Sequence, residues 1–235
     1  MDVRILAEAK KDVPLYLDDF ETYWNSVALN INDDDLTNCY HATLIYKNWK
    51  QCLNHIGVST MDVFFAELHE DINTSFFQSY FGLYRTAHMH LRSIIELSMQ
   101  MVYFYQHEIE YSQWKDGDYV IKHDALNTYL KKHPNFIGQS TFIDQLTQEW
   151  KNLSKHIHAE APSYFQSSKV SHATKAFSAS DFGVWKSNFI KTTYLTNKLF
   201  LILFKANITS FPSVEKAVLL RTVKSADYAI LGLSH

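Results

Sequence analysis

Glycine and proline are scarce in this 235-residue chain, which contains 6 Gly and 4 Pro. Sandwiches of β-strands need many tight turns, and nucleotide-binding α/β folds need glycine-rich loops that hold phosphate. The chain has few residues for either purpose, whereas long helices need little glycine or proline. Hydrophobic residues make up 46% of the chain and aromatic residues 15%, which is enough for a sizeable core. The composition therefore predicts an all-α protein.

Cysteine and long apolar runs are also nearly absent. Cys39 and Cys52 are too few for a disulfide framework or a zinc site. The longest uninterrupted apolar run, residues 199–204, is far too short to span a bilayer, and the first twelve residues lack the apolar core of a signal peptide. No metal-protease, CxxC or glycine-rich nucleotide motif is present. We therefore expect a cytoplasmic protein with no membrane association, no metal and no other cofactor.

Arginine is the scarce cation. The formal net charge is -3, which argues against nonspecific binding of nucleic acid over the whole surface but leaves room for a local basic groove. Among 22 basic residues only four are arginines, namely Arg4, Arg85, Arg92 and Arg221. Because a guanidinium group binds carboxylate or phosphate with two hydrogen bonds and tolerates burial, the positions of these four residues are informative.

The hydrophobic pattern predicts a series of helices. The most distinctive segment, residues 75–110, contains no proline and one glycine and is apolar on nearly every side, so we predict one long, central, buried helix there. Pro14 is expected to begin the first helix and Gly57 to end the second. Residues 163–180 are expected to form a loop. The other helices are expected over residues 14–30, 37–55, 123–132, 140–158 and 181–207, and after Pro212.

A stripe of polar residues runs along one face of the predicted central helix. Its members are Arg85, His88, Arg92 and Glu96. Their spacings of three, four and four residues place them on one face of a helix, where Arg92 and Glu96 can pair one turn apart. A buried charge is costly unless it is paired, so the stripe is either a salt bridge between packed helices or the lining of a polar cleft. In a cleft, Arg92 would bind phosphate and Glu96 would orient a histidine.

A second polar constellation lies in residues 149–158, EWKNLSKHIH. Helical spacing places Ser154 one turn before His158, and Asn152 one turn before His156. Lys151 and Lys155 lie on the outward side. The segment is either a polar helix end, whose basic residues favour the helix dipole, or the edge of an active site.

These two segments resemble one family. Residues 71–97, DINTSFFQSYFGLYRTAHMHLRSIIEL, are similar to the entry helix of HEPN-type and abortive-infection-like helical proteins, and residues 150–158, WKNLSKHIH, are similar to a later segment of the same proteins. The resemblance implies a multi-helix bundle around a long central helix, HEPN-like, over residues 71–235. Residues 1–70 would be an N-terminal helical segment packed on that bundle.

The resemblance also implies a chemistry. HEPN nucleases work as dimers with paired Arg-x4–6-His motifs, and the 2′-hydroxyl of the RNA attacks the adjacent phosphate without a metal. Carried over, this makes His158 or His156 the proton-transfer group, and gives phosphate contacts to Arg92 and Lys151. The catalytic candidates are Arg92, Glu96, Asn152, His156 and His158, and the binding candidates are Arg85, His88, Lys151, Ser154 and Lys155.

The sequence departs from the family motif at its arginine. Lys151 stands at that position, with four residues between it and His156 or six between it and His158. Lysine keeps the charge but loses the two-pronged guanidinium. Arg85 and His90 match Arg-x4-His literally, but a match of this kind is expected by chance in a chain with 12 His.

Three functional hypotheses follow. The first is a HEPN-like metal-independent ribonuclease or RNA-targeting effector of phage defence or of a toxin-type system, acting as a homodimer. The second is a noncatalytic helical interaction module that binds a partner protein or nucleic acid, which the lysine at position 151 favours. The third is a small-ligand sensor whose pocket would be lined by aromatic residues, namely Tyr80, Tyr84, Tyr103 and Tyr105. The first hypothesis requires Arg92, Glu96 and His158 to face one cleft that solvent can reach.

Overall fold

A computed structural model describes residues 3–233, and the side chains of residues 6–233. Over that range the chain forms twelve α-helices and no β-strand, which confirms the all-α prediction. None of these described helices is both long and apolar enough to cross a membrane. The helices are α1 (Val3–Asn30), α2 (Asp33–Thr43), α3 (Ile45–His55), α4 (Asp62–Tyr80), α5 (Tyr84–Phe104), α6 (Glu108–Lys115), α7 (His123–Lys132), α8 (Ser140–His158), α9 (Val170–Thr174), α10 (Ala179–Leu203), α11 (Ser213–Leu220) and α12 (Ser225–Leu231).

Helix α5 lies at the centre of the bundle and packs against α4, α7, α8 and α10. Most of its apolar side chains are buried, and Leu91, Ile94, Ile95 and Met99 are fully so. Burying a side chain of this size contributes roughly 1.5–3 kcal/mol, so the α5 contacts are a major source of stability. The polar stripe predicted from the sequence therefore lies on a helix that packs against other helices on most of its sides.

The prediction of one helix over residues 75–110 is wrong. The segment forms the end of α4, all of α5 and the start of α6. The break between α4 and α5 lies at Gly82, whose φ of +67° is in the left-handed region that favours glycine. A Cβ atom at this position would lie 2.6 Å from the hydroxyl oxygen of Tyr23, so the close approach of α1 also requires glycine.

Three other helix predictions need correction. Pro14 does not begin a helix but lies inside α1, where the surrounding residues are exposed and water can bond the carbonyl group that proline leaves free. The predicted helix 37–55 is divided at Leu44, where the hydroxyl of Thr43 donates to the Tyr40 carbonyl at 2.7 Å and competes with the helical pattern. The last helix is two helices, α11 and α12. By contrast, the predicted bounds of α7 and α8 are confirmed.

The N-terminal helices share the core with the C-terminal ones. On α3, Trp49 donates to Asn197 Oδ1 at 2.7 Å, and the hydroxyl of Tyr46 lies 2.7 Å from that of Thr196 on α10. All four side chains are buried. The domain border predicted between residues 70 and 71 falls inside α4. The assignment of residues 71–235 to a HEPN-like bundle stays a prediction.

Candidate functional site

The two polar segments of the sequence meet where α5 packs on α8. We refer to this contact as the α5–α8 seam, defined by Arg85, His88, Arg92 and Glu96 of α5 and by Trp150, Ser154 and His156 of α8. A polar group in such a contact is costly unless it has a hydrogen-bonding partner.

Arg92 is engaged on three sides. Its Nη1 lies 3.2 Å from Glu96 Oε2, which confirms the predicted pairing one helical turn apart. Its Nε donates to Ser154 Oγ at 3.1 Å, and its guanidinium carbon lies 4.7 Å from the centre of the Trp150 ring. The side chains of Arg92 and Glu96 are 27% and 31% exposed, so the pair is half-buried. Arg92 thus links α5 to α8 through its charge, one hydrogen bond and a cation–π contact.

Trp150 extends the seam to a histidine that the sequence analysis missed. Its indole Nε1 donates to Glu96 Oε2 at 3.4 Å, and the ring of His123 stacks on it at 3.9 Å. Burial lowers the pKa of His123, so its ring is neutral near pH 7. His123 begins α7, and no local pattern in the sequence connects it with Trp150.

Arg85 holds the end of α8. Its Nε donates to the carbonyl of His156 at 3.1 Å, and its Nη2 donates to the carbonyl of Ile157 at 2.8 Å. These carbonyls belong to the last turn of α8, where the helix dipole favours a cation. Arg85, predicted as a binding residue, therefore bonds the backbone of the neighbouring helix.

His88 and His156 form a stacked pair across the seam. Their ring centres are 4.0 Å apart and their planes differ by 4°. Burial lowers the pKa of His88 to about 3 and the pKa of His156 to about 4. The Nδ1 of His88 donates to the Tyr84 carbonyl at 2.6 Å, and its Nε2 accepts from Asn188 Nδ2 at 3.0 Å, an arrangement that suits the neutral ring. Both rings are therefore neutral near pH 7, and His156 is a weak base.

The other predicted site residues of α8 lie apart from this pair. Asn152 accepts from Gln148 at 3.0 Å, and Ser154 donates to the Trp150 carbonyl at 2.8 Å, so neither is bonded to the histidine one turn later. Lys151 and His158 are exposed, and Lys155 is half-buried. The seam thus contains Arg85, His88, Arg92, Glu96, Ser154 and His156 but leaves Asn152, Lys151 and His158 at its outer edge.

His90 and the tyrosines proposed for a sensor pocket pack against other residues of the bundle. The Nδ1 of His90 lies 2.6 Å from a carboxylate oxygen of Asp71 on α4. Tyr84 is buried, and Tyr103 stacks on His107 at 4.0 Å. A tyrosine-lined sensor pocket finds no support in these contacts.

A second surface, on α1, was not recognised in the sequence. We define the α1 stripe as Leu6, Val13, Leu17, Phe20 and Trp24, whose side chains are between 42% and 59% exposed. With Lys10 they follow alternating spacings of four and three residues, the pattern of a coiled-coil seam. Phe20 and Trp24 stack on Phe81 at 5.1 and 5.2 Å. The spacing is present in the sequence, but it spans Pro14. Because Pro14 was expected to begin the helix, the residues before it were not assigned to the same helix face.

Chemically, the seam is a polar contact between two helices, and the α1 stripe is an apolar helix face that is about half exposed to solvent. The seam offers no free guanidinium and no histidine that is both buried and protonated near pH 7. Comparison of the chain with protein-family models, with curated proteins and with solved structures found no match, and the HEPN-like resemblance stays a prediction from residues 71–97 and 150–158.

Proposed function

We propose that this chain is a noncatalytic helical interaction module, HEPN-like in scaffold, that associates with a second copy of itself through α1. The observation that carries the proposal is the α1 stripe. An apolar helix face left in water loses the stabilisation that burial would provide, and contiguous exposed apolar surface is typical of interaction sites.

The sequence of α1 suits pairing with itself. In an antiparallel pair centred near residue 15, each contact joins positions whose numbers add to 30. Val13 then faces Leu17 of the second copy, and Leu6 faces Trp24. A pattern that is complementary to its own reverse fits a two-fold interface, in which the same patch serves both copies. The α1 stripe therefore fits a second copy better than it fits an arbitrary apolar partner.

Charge complementarity supports the same register. Lys10 is the one charged member of the repeat, and it is exposed. In the antiparallel pair it lies beside Phe20 of the second copy. The adjacent Asp19 is already paired with Lys175, so the exposed Glu21 is the carboxylate that Lys10 can reach. The lysine stem can cover the aromatic ring while the ammonium group reaches a carboxylate.

The α5–α8 seam supports the noncatalytic part of the proposal. Arg92 already contacts a carboxylate, a hydroxyl and an indole ring, and Arg85 bonds the end of α8. A phosphate would have to displace these partners. His156 is buried and neutral, so it lacks the proton that a general acid donates.

The test is the oligomeric state of the purified chain, measured by sedimentation velocity over a range of concentrations. We expect a dimer for the wild type and a monomer for Leu17→Glu, with the same circular dichroism spectrum. Leu15→Glu is the matched control, because Leu15 is exposed on the same helix but lies outside the α1 stripe. A wild type that stays monomeric, or equal effects of both substitutions, would overturn the proposal.

A metal-independent ribonuclease is the second candidate function. It is favoured by the exposure of His158 and Lys151 on α8, the helix that the half-buried Arg92 contacts through Ser154. The purified protein should be incubated with total RNA and EDTA, beside the variant His156→Ala/His158→Ala. Cleavage that disappears in the variant would establish the enzyme and overturn the noncatalytic proposal, and absence of cleavage by the wild type is the result that we expect.

A further inference from the structure

A polar cleft opens on the side of the molecule formed by α2, α10 and the turn between α11 and α12. Its volume is about 650 Å³. We refer to it as the α2–α10 cleft, whose lining includes Asp35, Asn38, Lys186, Lys191, Arg221 and Lys224. None of the predicted site residues belongs to it.

Cations outnumber carboxylates in this cleft. Its lining contains four basic side chains, Lys186, Lys191, Arg221 and Lys224, but one carboxylate, Asp35. In a chain whose formal net charge is -3, this is a local reversal of sign. A concave surface with an excess of one charge concentrates the field and attracts ligands of the opposite sign.

Two of the four cations are already paired. Lys186 lies 2.7 Å from Asp35, and Lys191 contacts Glu149 of α8. In the part of the chain that the structure describes, Arg221 and Lys224 have no carboxylate within salt-bridge distance. These two side chains are therefore the ones available to an anionic ligand.

Arg221 and Lys224 are held near the cleft by weak contacts. The Nη2 of Arg221 donates to Asn38 Oδ1 at 3.4 Å, and the Nζ of Lys224 lies 4.1 Å from the centre of the Tyr194 ring. A neutral amide and an aromatic face orient a cation without cancelling its charge. His41 adds no charge, because burial and the nearby Arg221 lower its pKa. The carboxylate of Asp227 accepts from the backbone N–H of Lys224 at 3.3 Å and does not pair with its ammonium group. Among the described residues, the cleft thus presents a guanidinium and an ammonium group that belong to no ion pair.

We propose that the α2–α10 cleft binds a phosphorylated small molecule of nucleotide size, with its phosphate groups held by Arg221 and Lys224. The volume lies within the range of about 300–1,000 Å³ that is typical of small-molecule sites. A guanidinium bonds phosphate with two parallel hydrogen bonds, and a lysine adds a point charge. Ile190 and Ala42 give the cleft an apolar wall for the rest of the ligand.

A small ligand fits better than a strand of RNA. Single-stranded RNA is bound by a long basic track with open aromatic faces on which bases stack. Here the cationic surface is confined to one cleft, and Lys224 covers the ring of Tyr194. The cleft therefore has room and charge for one phosphorylated molecule.

The test is isothermal titration calorimetry of the full chain with ADP, pyrophosphate, adenosine and a single-stranded RNA of ten nucleotides. We expect ADP and pyrophosphate to bind and adenosine not to bind. The variant Arg221→Gln/Lys224→Gln should weaken ADP binding by about tenfold or more, the loss expected for about 1.4 kcal/mol of binding energy.

The matched control is Lys122→Gln/Lys132→Gln, which also removes two charges from exposed residues but lies outside the cleft. Equal weakening by the control, or no binding of ADP and pyrophosphate by the wild type, would overturn the proposal. Tighter binding of the RNA than of ADP, lost in the Arg221→Gln/Lys224→Gln variant, would overturn it in favour of a nucleic-acid site. Because α1 takes no part in the cleft, the monomeric Leu17→Glu variant should bind ADP like the wild type whatever the oligomeric state proves to be.

Discussion

The α5–α8 seam and the α2–α10 cleft both contain arginine and histidine. The arginines of the seam are bound to several other groups of the chain, whereas the arginine of the cleft has few contacts. In the seam, Arg85 and Arg92 have several partners each, and the stacked histidines are neutral. In the cleft, Arg221 has one long hydrogen bond to a neutral amide. The comparison shows that a charged residue in a conspicuous sequence motif can serve the fold, whereas an arginine outside any motif can be left available to a ligand.

The ion pair of Lys191 and Glu149 joins the cleft to α8, the helix that forms one side of the seam. Removing this pair should have the largest effect on stability. Glu149 is 1% exposed, so Lys191→Met would leave a buried carboxylate without its cation. We expect a loss of about 3 kcal/mol in the free energy of unfolding, measured with urea. The double variant Glu149→Gln/Lys191→Met should recover most of this loss. A loss below about 1 kcal/mol in the single variant would contradict the view that the buried Glu149 carboxylate depends on Lys191.

Arg85→Ala should show the structural role of the seam. The substitution removes two charge-assisted hydrogen bonds from the last turn of α8, and we expect a loss of about 2 kcal/mol in the free energy of unfolding. Lysine at this position should restore only part of it, because one ammonium group cannot reproduce the two-pronged contact. Equal stability of Arg85→Ala and wild type would show that the contact is dispensable.

The stacked histidines should make stability depend on pH. Their folded-state pKa values, about 3 for His88 and about 4 for His156, lie below the value of 6.5 expected in the unfolded chain. Between these limits the unfolded chain binds more protons, so stability is complete above pH 6.5 and falls as the pH decreases. From pH 6 to pH 5, His156→Phe should reduce this decrease by about 1 kcal/mol, because each pKa unit corresponds to about 1.4 kcal/mol.

His158→Phe is the control for this pH dependence. His158 is exposed at the end of the same helix, so its substitution should leave the decrease unchanged. Comparison of the two variants removes the contribution of the other histidines, which both share. The same pH dependence in His156→Phe and wild type would contradict a neutral, buried His156.

The smallest effect is expected in the cleft. Arg221→Ala should change the free energy of unfolding by less than about 0.5 kcal/mol, because the side chain is exposed and makes one long hydrogen bond. Thermal unfolding at matched pH measures it. A loss comparable to that of Arg85→Ala would show that Arg221 serves the fold, and the contrast between the two regions would disappear.

Local spacing accounts for what could be predicted from the sequence. The bounds of α7 and α8 follow from their apolar periodicity and from the breakers that flank them. The Arg92–Glu96 pair follows from a spacing of four residues within one helix. The break at Gly82 was missed because its necessity comes from Tyr23, which lies 59 residues earlier in the chain. Breaks of this kind depend on which helices pack together.

By its own composition and periodicity, the sequence determined that this protein is helical and which residues could form a polar stripe. Only the tertiary structure decided what the stripe does, because its partners come from residues far along the chain: Arg85 bonds a carbonyl 71 residues away. The tertiary structure also decided the role of the α2–α10 cleft. Its lysine and arginine side chains carry a positive charge in any fold, so their charge alone does not show what they contact. Whether a cation meets a carboxylate, an aromatic ring or open solvent depends on distances of a few ångströms between helices, and local sequence does not specify those distances.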